Sequence, residues 1–472
     1  MPRTKIVCTL GPASSETQVM EKMVRAGMDL ARINLAHGDQ STHRTLVARL
    51  RSAANAAGRS VPILMDRQGP KIRVGALSAP KDLSLGDRVV MAPEGRHRPD
   101  EIPTTYRYLA EDLSVGDRVL LDDGLLAMVC VSTEGERAEL EVTYGGRLFP
   151  RKGINLPGVR IREPSLTTKD LGDLDFALEM ESEFIGLSFV RDPEDVRELK
   201  ERIAGRAKVV AKIEKAEALD RLNEILEVTD AVMVARGDLG VELPYEKVPL
   251  AQKRIIQLAN YRARPVITAT QMLESMIEEL RPTRAEASDV ANAILDGTGA
   301  VMLSGETAVG RDPVRAVEAL VRIAGEIDGS GAMDNGPIYL PLTEMPERSG
   351  ASRREHAVAS ASVESARIMD AVAIVALTRT GFTPQLVSSY KPPVPIFAVC
   401  TEALAFCQLQ AIWGVTPILA EPEEATFKSL WPVGRDAVLA AGAGQVGDWV
   451  VVTAGYPFHT AGSTNTMRVE RL

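Results

Sequence analysis

The chain has 472 residues, a net charge of −9 and four cysteines, and at roughly 150 residues per domain it predicts three domains. Its 45% hydrophobic and 25% charged residues exclude wholesale disorder, collagen and coiled coil, and no apolar run of eighteen residues offers a membrane span. Cys8, Cys130, Cys400 and Cys407 are too scattered for a disulfide framework or a zinc site, and the acidic balance argues against nucleic acid as a partner.

Met1–Ala13 lacks the basic-then-apolar pattern of a signal peptide, which with the scattered cysteines predicts a cytoplasmic protein. From Lys5 to Glu306, short apolar runs alternate with amphipathic stretches. The runs are Ile6–Leu10, Leu30–Leu35, Ile63–Met65, Phe184–Phe189, Val209–Ile213, Ala231–Ala235, Pro265–Ala269 and Ala300–Leu303. Runs this short and apolar throughout suit strands buried on both faces. Asp192-Pro193 and Asp312-Pro313 set a cap before a first-turn proline, and Thr283 with Glu286 has capping-box spacing. Eight strands with helices between them predict a (β/α)8 barrel, with a doubly wound open sheet as the competing topology.

More than a hundred residues between the third and fourth runs break this rhythm. There Leu83-Ser-Leu-Gly-Asp-Arg-Val-Val-Met91 is echoed by Leu113-Ser-Val-Gly-Asp-Arg-Val-Leu-Leu121, each a Gly-Asp turn leading into a strand. Residues 70–167 are therefore expected to form a small all-β lid domain, inserted into a barrel of 1–69 and 168–338. Gly329–Gly350 reads as a linker. Residues 351–472, with runs Ala371–Leu377, Pro395–Val399, Pro417–Ala420 and Trp449–Thr453, read as a C-terminal α/β domain. Gly442-Ala-Gly-Gln-Val-Gly447 matches a dinucleotide fingerprint by letter, but a strand follows it rather than a helix.

Barrels gather function at the C-terminal ends of their strands. Those ends hold Arg32, Asn34 and His37; Asp66 with Arg67, Lys71 and Arg73; Lys212 and Glu214; Arg236, Gly237 and Asp238; Thr270 and Gln271; Ser304 and Glu306. Lys212 and Glu214 are two apart on a strand and share a face. Glu214 and Asp238 together suit a hard cation such as Mg²⁺ or Mn²⁺, with Lys212 stabilising an oxyanion or phosphoryl group. Gly237 lets backbone amides approach a ligand, and Asp238-Leu-Gly240 is expected to open a short helix. Asp66-Arg-Gln-Gly-Pro-Lys-Ile-Arg73 reads either as a hinge or as a cationic loop facing a polyphosphate.

Longer stretches carry a resemblance. Thr4-Lys-Ile-Val-Cys-Thr-Leu-Gly-Pro-Ala13, Lys152-Gly-Ile-Asn-Leu-Pro-Gly158 and Met233-Val-Ala-Arg-Gly-Asp-Leu-Gly-Val-Glu242 resemble the pyruvate kinase family. So do Ala269-Thr-Gln-Met-Leu-Glu-Ser-Met-Ile277, Arg281–Asn292 and Val301-Met-Leu-Ser-Gly-Glu-Thr-Ala308. The resemblance implies transfer of a phosphoryl group from phosphoenolpyruvate to ADP, giving pyruvate and ATP. It implies Glu214 and Asp238 as metal ligands, Lys212 and Arg32 on the phosphoryl group, and Gly237, Asp238 and Thr270 on the substrate carboxylate. Thr270 would also belong to the network that protonates the enolate. Asn34, His37, Arg73 and Lys152 would face the nucleotide.

Many family members hold K⁺. Here Asn34 and Asp66 match that site, but Ala36, Arg67 and Lys71 replace its serine, threonine and glutamate. Gln68-Gly-Pro-Lys71 resembles the K⁺-independent branch, so Lys71 is expected to supply the charge, with K⁺ not required. The C-terminal domain resembles the family's allosteric module, in which Thr378, Thr380, Gly381 and Thr383 would receive a phosphorylated effector. A homotetramer is implied as well. The competing readings are a metal-dependent barrel aldolase or lyase and a non-catalytic metabolite sensor.

Overall fold

The structure, a computed structural model, describes residues 2–339, 350–458 and 463–472, with no side-chain detail for 350–352. Eight parallel strands close into a barrel: Lys5–Leu10, Leu30–Asn34, Ile63–Asp66, Phe184–Leu187, Lys208–Ile213, Ala231–Ala235, Val266–Ala269 and Ala300–Leu303. Each pairs with its neighbours in sequence order, and the last pairs with the first, with Lys5 opposite Ala300. Closure removes the open-sheet alternative.

These strands are apolar on both faces because both faces are buried. Val7, Leu64, Val210, Met233 and Met302 fill the barrel interior, while Ile6, Ile63, Val209, Val232 and Val301 pack against the helices outside. The expected caps form. Asp192 accepts from the Glu194 amide, Asp312 from the Arg315 amide, and Thr283 and Glu286 close a capping box. The run Phe184–Phe189 stops as a strand at Leu187, and Phe189 turns out of it at φ 54°.

Between the third and fourth strands lies a six-stranded sheet in the order Ile154–Asn155, Arg118–Leu121, Leu126–Glu134, Arg137–Tyr144, Arg88–Pro93, Ile102–Thr104. The two echoed segments fold alike. Ser84 N and Ser114 N each donate to the aspartate three residues on, at 2.7 Å. Gly86 N and Gly116 N each donate to a neighbouring strand, at Val142 and Cys130, over 2.8 Å.

The C-terminal unit carries a five-stranded sheet, Val415–Leu419, Ile396–Cys400, Ala373–Thr378, Trp449–Ala454 and Thr466–Arg471. The last strand runs antiparallel at the edge. It was not expected, because its alternation is weak and most of its side chains are exposed. The run Pro417–Ala420 corrects to Val415–Leu419, with Pro417 tolerated in an edge strand. Gly442–Gly447 joins a helix to strand Trp449–Ala454 and has no dinucleotide context. The expected linker Gly329–Gly350 begins inside helix Pro313–Gly329, and its residues 340–349 lie outside the described residues.

Candidate active site

The third strand delivers Asp66 to the barrel mouth, and two cations converge on it. Arg32, on the adjacent strand, donates to Asp66 Oδ2 from Nε at 2.8 Å and from Nη2 at 2.6 Å. Its Nη1 donates to Thr9 Oγ1 at 3.0 Å. Lys212 Nζ lies 3.3 Å from the same Asp66 oxygen and 2.8 Å from Glu214 Oε1. It also donates to Ser188 Oγ at 2.8 Å, and Ser188 donates to the Arg67 carbonyl at 2.7 Å. Gly186, paired with Asp66 across the strands, leaves room for this carboxylate: a Cβ there would stand 2.7 Å from Asp66 Oδ1.

Electrostatics follow from this crowding. Burial alone would raise the Asp66 carboxyl, but Lys212 and Arg32 outweigh it and hold the group below its ordinary value. Burial would also discharge Lys212, yet Asp66 and Glu214 hold its ammonium protonated well above the usual lysine range. Glu214 shares that one ammonium with Asp66. Burial pushes it up to about 7 against the pull of Lys212, and Asp238 repels it further.

Across the mouth, helix Arg236–Glu242 starts directly at the end of strand Ala231–Ala235, two residues earlier than expected. Gly237 N donates to Thr270 Oγ1 at 2.8 Å, which brings Gly237, Asp238 and Thr270 together. Thr270 and Gln271 sit at φ 65° and 54°, a costly conformation for a β-branched residue. Arg236 holds it. The guanidinium donates to the Thr270 and Gln271 carbonyls and to Asp289, at 2.6 to 3.2 Å. Glu306, fully buried, accepts from Leu273 N and Ser304 N and so ties the seventh and eighth strand ends together.

The remaining expected residues divide between barrel and lid. Asn34 Oδ1 accepts from Ala36 N at 3.1 Å, and His37 is exposed on the same turn. Arg73 and Lys152 lie on facing segments of the lid, bridged at Arg73–Gly153, and Lys152 pairs with Asp122 at 2.9 Å. Lys71 makes no ion pair among the described residues and lies against Gly153 rather than on Asp66. The cationic-loop reading is corrected at one position. The Arg67 side chain is not a solvated part of that loop but is buried, 2% exposed. In the C-terminal unit, Thr378 accepts from Gly381 N, and the buried Thr383 pairs with Thr464.

Sequence reasoning missed Ser188 and Thr9. Both follow the logic of strand ends: Ser188 comes one residue after strand four, and Thr9 is the last but one residue of strand one. Those were the two ends left unread.

Glu214 and Asp238 fit a divalent cation. They are hard oxygen donors that repel each other, and a cation between them relieves that repulsion. Among the described residues no group of three or more His, Cys, Asp and Glu is placed to hold a metal ion.

Fixed cations set beside a carboxylate pair at a barrel mouth define a class, the barrel enzymes that neutralise an anionic substrate alongside a metal ion. The family model described as "Pyruvate kinase, barrel domain" matches residues 1–317, and "Pyruvate kinase, alpha/beta domain" matches 356–470. The chain is 44% identical over 477 residues to a pyruvate kinase of Mycobacterium intracellulare, covering all of this chain and 98% of that one. It is 44% identical over 478 residues to one from Corynebacterium glutamicum, with the same coverage. It is 42% identical over 475 residues to one from Geobacillus stearothermophilus, covering 99% of this chain and 80% of that one. The chain belongs to the pyruvate kinase family and has that family's phosphotransferase function. The family generally uses a divalent metal, and its substrates are phosphoenolpyruvate and ADP.

Proposed function

We propose that the strand ends around Lys212 carry phosphoryl transfer from phosphoenolpyruvate to ADP, yielding pyruvate and ATP as the last step of glycolysis. The observation that carries this reading is the buried Lys212 ammonium, fixed by Asp66, Glu214 and Ser188 beside Arg32. Phosphoryl transfer asks a protein mainly for positioning and charge neutralisation. Arg32, aimed by Asp66 and Thr9, binds the phosphate. Lys212 stabilises the transferring group and the enolate that remains. The Gly237 and Asp238 amides with Thr270 receive the substrate carboxylate, and the Thr270 hydroxyl belongs to the network that protonates the enolate. Glu214 and Asp238 would hold Mg²⁺ or Mn²⁺, which when bound supplies charge neutralisation across the phosphates. Asn34, His37, Arg73 and Lys152 face the nucleotide, and closure of the lid excludes water that would hydrolyse the donor.

K⁺ is not required in this reading. Ala36 offers no hydroxyl, Asn34 Oδ1 is taken by its own turn, and Lys71 adds an ammonium on the segment that follows Asp66. Thr378, Thr380, Gly381 and Thr383 form the effector loop. A cavity of about 670 Å³ beside it, lined by Thr378, Arg379, Thr401, Thr426, Phe427 and Arg468, supports a phosphorylated effector. The domain limits are 1–69 with 168–338, 70–167, and 351–472. A cytoplasmic homotetramer completes the proposal; the four free cysteines suit a reducing compartment, and no described helix is long and apolar enough to cross a membrane.

The test is ATP formation from phosphoenolpyruvate and ADP, with Mg²⁺ and K⁺ omitted in turn. Activity that needs Mg²⁺ and ignores K⁺ is expected. Strong K⁺ stimulation would overturn the role of Lys71, and absence of ATP formation would overturn the whole reading. Lys71→Glu should lower activity.

A further inference from the structure

The lid is fastened to the barrel chiefly where the chain crosses between them. Asp170 accepts from Gly69 N at the outward crossing and from Thr167 N at the return, both at 3.0 Å. Arg191 donates to the Ile161 and Glu163 carbonyls and to Ser165 Oγ just before that return, at 2.5 to 3.2 Å. Away from these crossings, one hydrogen bond among the described residues joins lid and barrel. Asn155, on the lid strand Ile154–Asn155, donates from Nδ2 to Glu242 Oε1 at 3.4 Å.

The acceptor is half of a buried ion pair. Glu242 closes helix Arg236–Glu242, the helix that carries Gly237 and Asp238. Its Oε1 also accepts from Lys215 Nζ at 2.5 Å, and Lys215 directly follows Glu214. The two side chains are only 5% and 1% exposed. A pair taken out of water needs further hydrogen bonds to offset its lost hydration. Glu242 Oε2 is buried without a partner, so Lys215 and Asn155 are the donors this carboxylate has among the described residues. The Asn155 amide brings a donor and no charge, which leaves the pair balanced. Asn155 and Lys215 also line a cavity of about 20 Å³ between lid and barrel, room for little more than one water, so the seam is closed around the contact.

Asn155 lies three residues after Lys152, and the lid backbone ties it to Arg73 as well. Arg73 bridges Gly153, Ile154 N donates to the Ile72 carbonyl at 2.9 Å, and Val74 N donates to the Lys152 carbonyl at 2.8 Å. We propose that Asn155 is a positioning residue that latches the lid onto the buried Lys215–Glu242 pair and so sets Arg73 and Lys152 over the barrel mouth. Without the latch the lid is held at its crossings alone and swings about them. The inference rests on the reading that these two cations face the nucleotide.

The test compares Asn155→Ala, Asn155→Asp, Glu242→Gln and the swapped Asn155→Asp/Glu242→Gln variant in the full chain. Hydrogen exchange over residues 152–158 is measured without substrates, beside KM for ADP and for phosphoenolpyruvate. Asn155→Ala should exchange about tenfold faster over this segment, because a lost tertiary contact eases local opening. Its KM for ADP should rise about fivefold while that for phosphoenolpyruvate stays within about twofold, since Arg32 and Lys212 remain placed by the barrel. Asn155→Asp should be worse in both respects, as it sets a second carboxylate against Glu242. The swap again faces one amide donor with one carboxylate, so it should recover most of the Asn155→Asp loss. Wild-type exchange in Asn155→Ala, equal rises in the two KM values, or a swap no better than Asn155→Asp alone would each overturn the latch. Should the Glu242→Gln variants not fold, Asn155→Asp decides: exchange faster than in Asn155→Ala supports the contact, and equal exchange overturns it. Exchange needs no chemistry, so a wild type that makes no ATP would sink the proposed function and leave the latch to be decided by exchange.

Discussion

At the C-terminal ends of the barrel strands Lys212 is buried between two carboxylates and a serine hydroxyl. At the opposite ends, against the C-terminal domain, Lys391 is buried over the Trp413 ring at 4.5 Å and donates to the Thr298 carbonyl at 3.3 Å. The first lysine is held protonated far above its usual range. The second is pushed down to about 7, because burial outweighs the attraction of Asp328 and Arg3 repels it. Two more lysines share the second situation. Lys5 Nζ crosses to the Val415 carbonyl at 3.0 Å, and Lys208 Nζ crosses to Gln385 at 3.2 Å. Burial lowers both, Lys208 to about 8. The mouth buries charge with counter-charge, at a site where substrate can exchange partners. The floor buries lysines against neutral acceptors, so they serve as hydrogen-bonding pins between domains.

The sharpest way to break the contrast is at the mouth. Lys212→Met keeps the apolar length of the side chain and removes the charge. Turnover should fall a hundredfold or more, comparable to removing a preorganised donor from other transition states. The melting temperature should stay within a few degrees. Unchanged turnover, measured by coupled assay at saturating substrates, would remove Lys212 from the chemistry.

A smaller effect is expected where packing rather than charge is changed. Gly186→Ala sets a methyl 2.7 Å from Asp66 Oδ1, inside contact distance. Asp66 must shift, carrying Arg32 with it. The phosphoenolpyruvate KM should rise about tenfold with a modest change in kcat, because a displaced carboxylate misdirects the phosphate-binding arginine. A kcat loss with KM unchanged would show that Asp66 acts through Lys212 instead.

The mouth side of this contrast was readable from the chain, and the floor side was not. The eight barrel strands stand out because burial on both faces makes each run apolar throughout, and closure follows from their number. The strand-end residues Arg32, Asp66, Lys212, Glu214 and Asp238 were legible because polar groups interrupt such runs only at their ends. Ser188 was not, since one hydroxyl beyond a strand carries no charge signal. Arg67 was misread for the opposite reason: a cation in a cationic loop looks solvated, and only the packing shows it buried. The seam lysines were invisible, because Lys5, Lys208 and Lys391 find their neutral acceptors 410, 177 and 93 residues away, at groups that sequence does not mark. The edge strand Thr466–Arg471 escaped because an exposed strand loses the apolar pattern that betrays the others.

The smallest expected effect concerns the floor. Lys391 is lowered from 10.5 to about 7 on folding, so between those values the unfolded chain binds more protons than the folded one. Stability from this group therefore rises with pH across about 7 to 10.5, by at most about 1.4 kcal/mol per pH unit, and is flat below it. Lys208, pushed down to about 8, adds a rise of the same sign starting higher. Lys391→Met removes one of these contributions and leaves the other. Melting temperatures followed by tryptophan fluorescence should climb less steeply from pH 7 to 9.5 in the variant than in the wild type, with turnover at pH 7 unchanged. Trp413 makes the readout local, because its ring lies under both Lys391 and Arg3. Equal slopes in the two proteins would mean that Lys391 keeps its proton when buried. The floor would then stabilise charge as effectively as the mouth does, by the Asp328 carboxylate rather than by neutral acceptors.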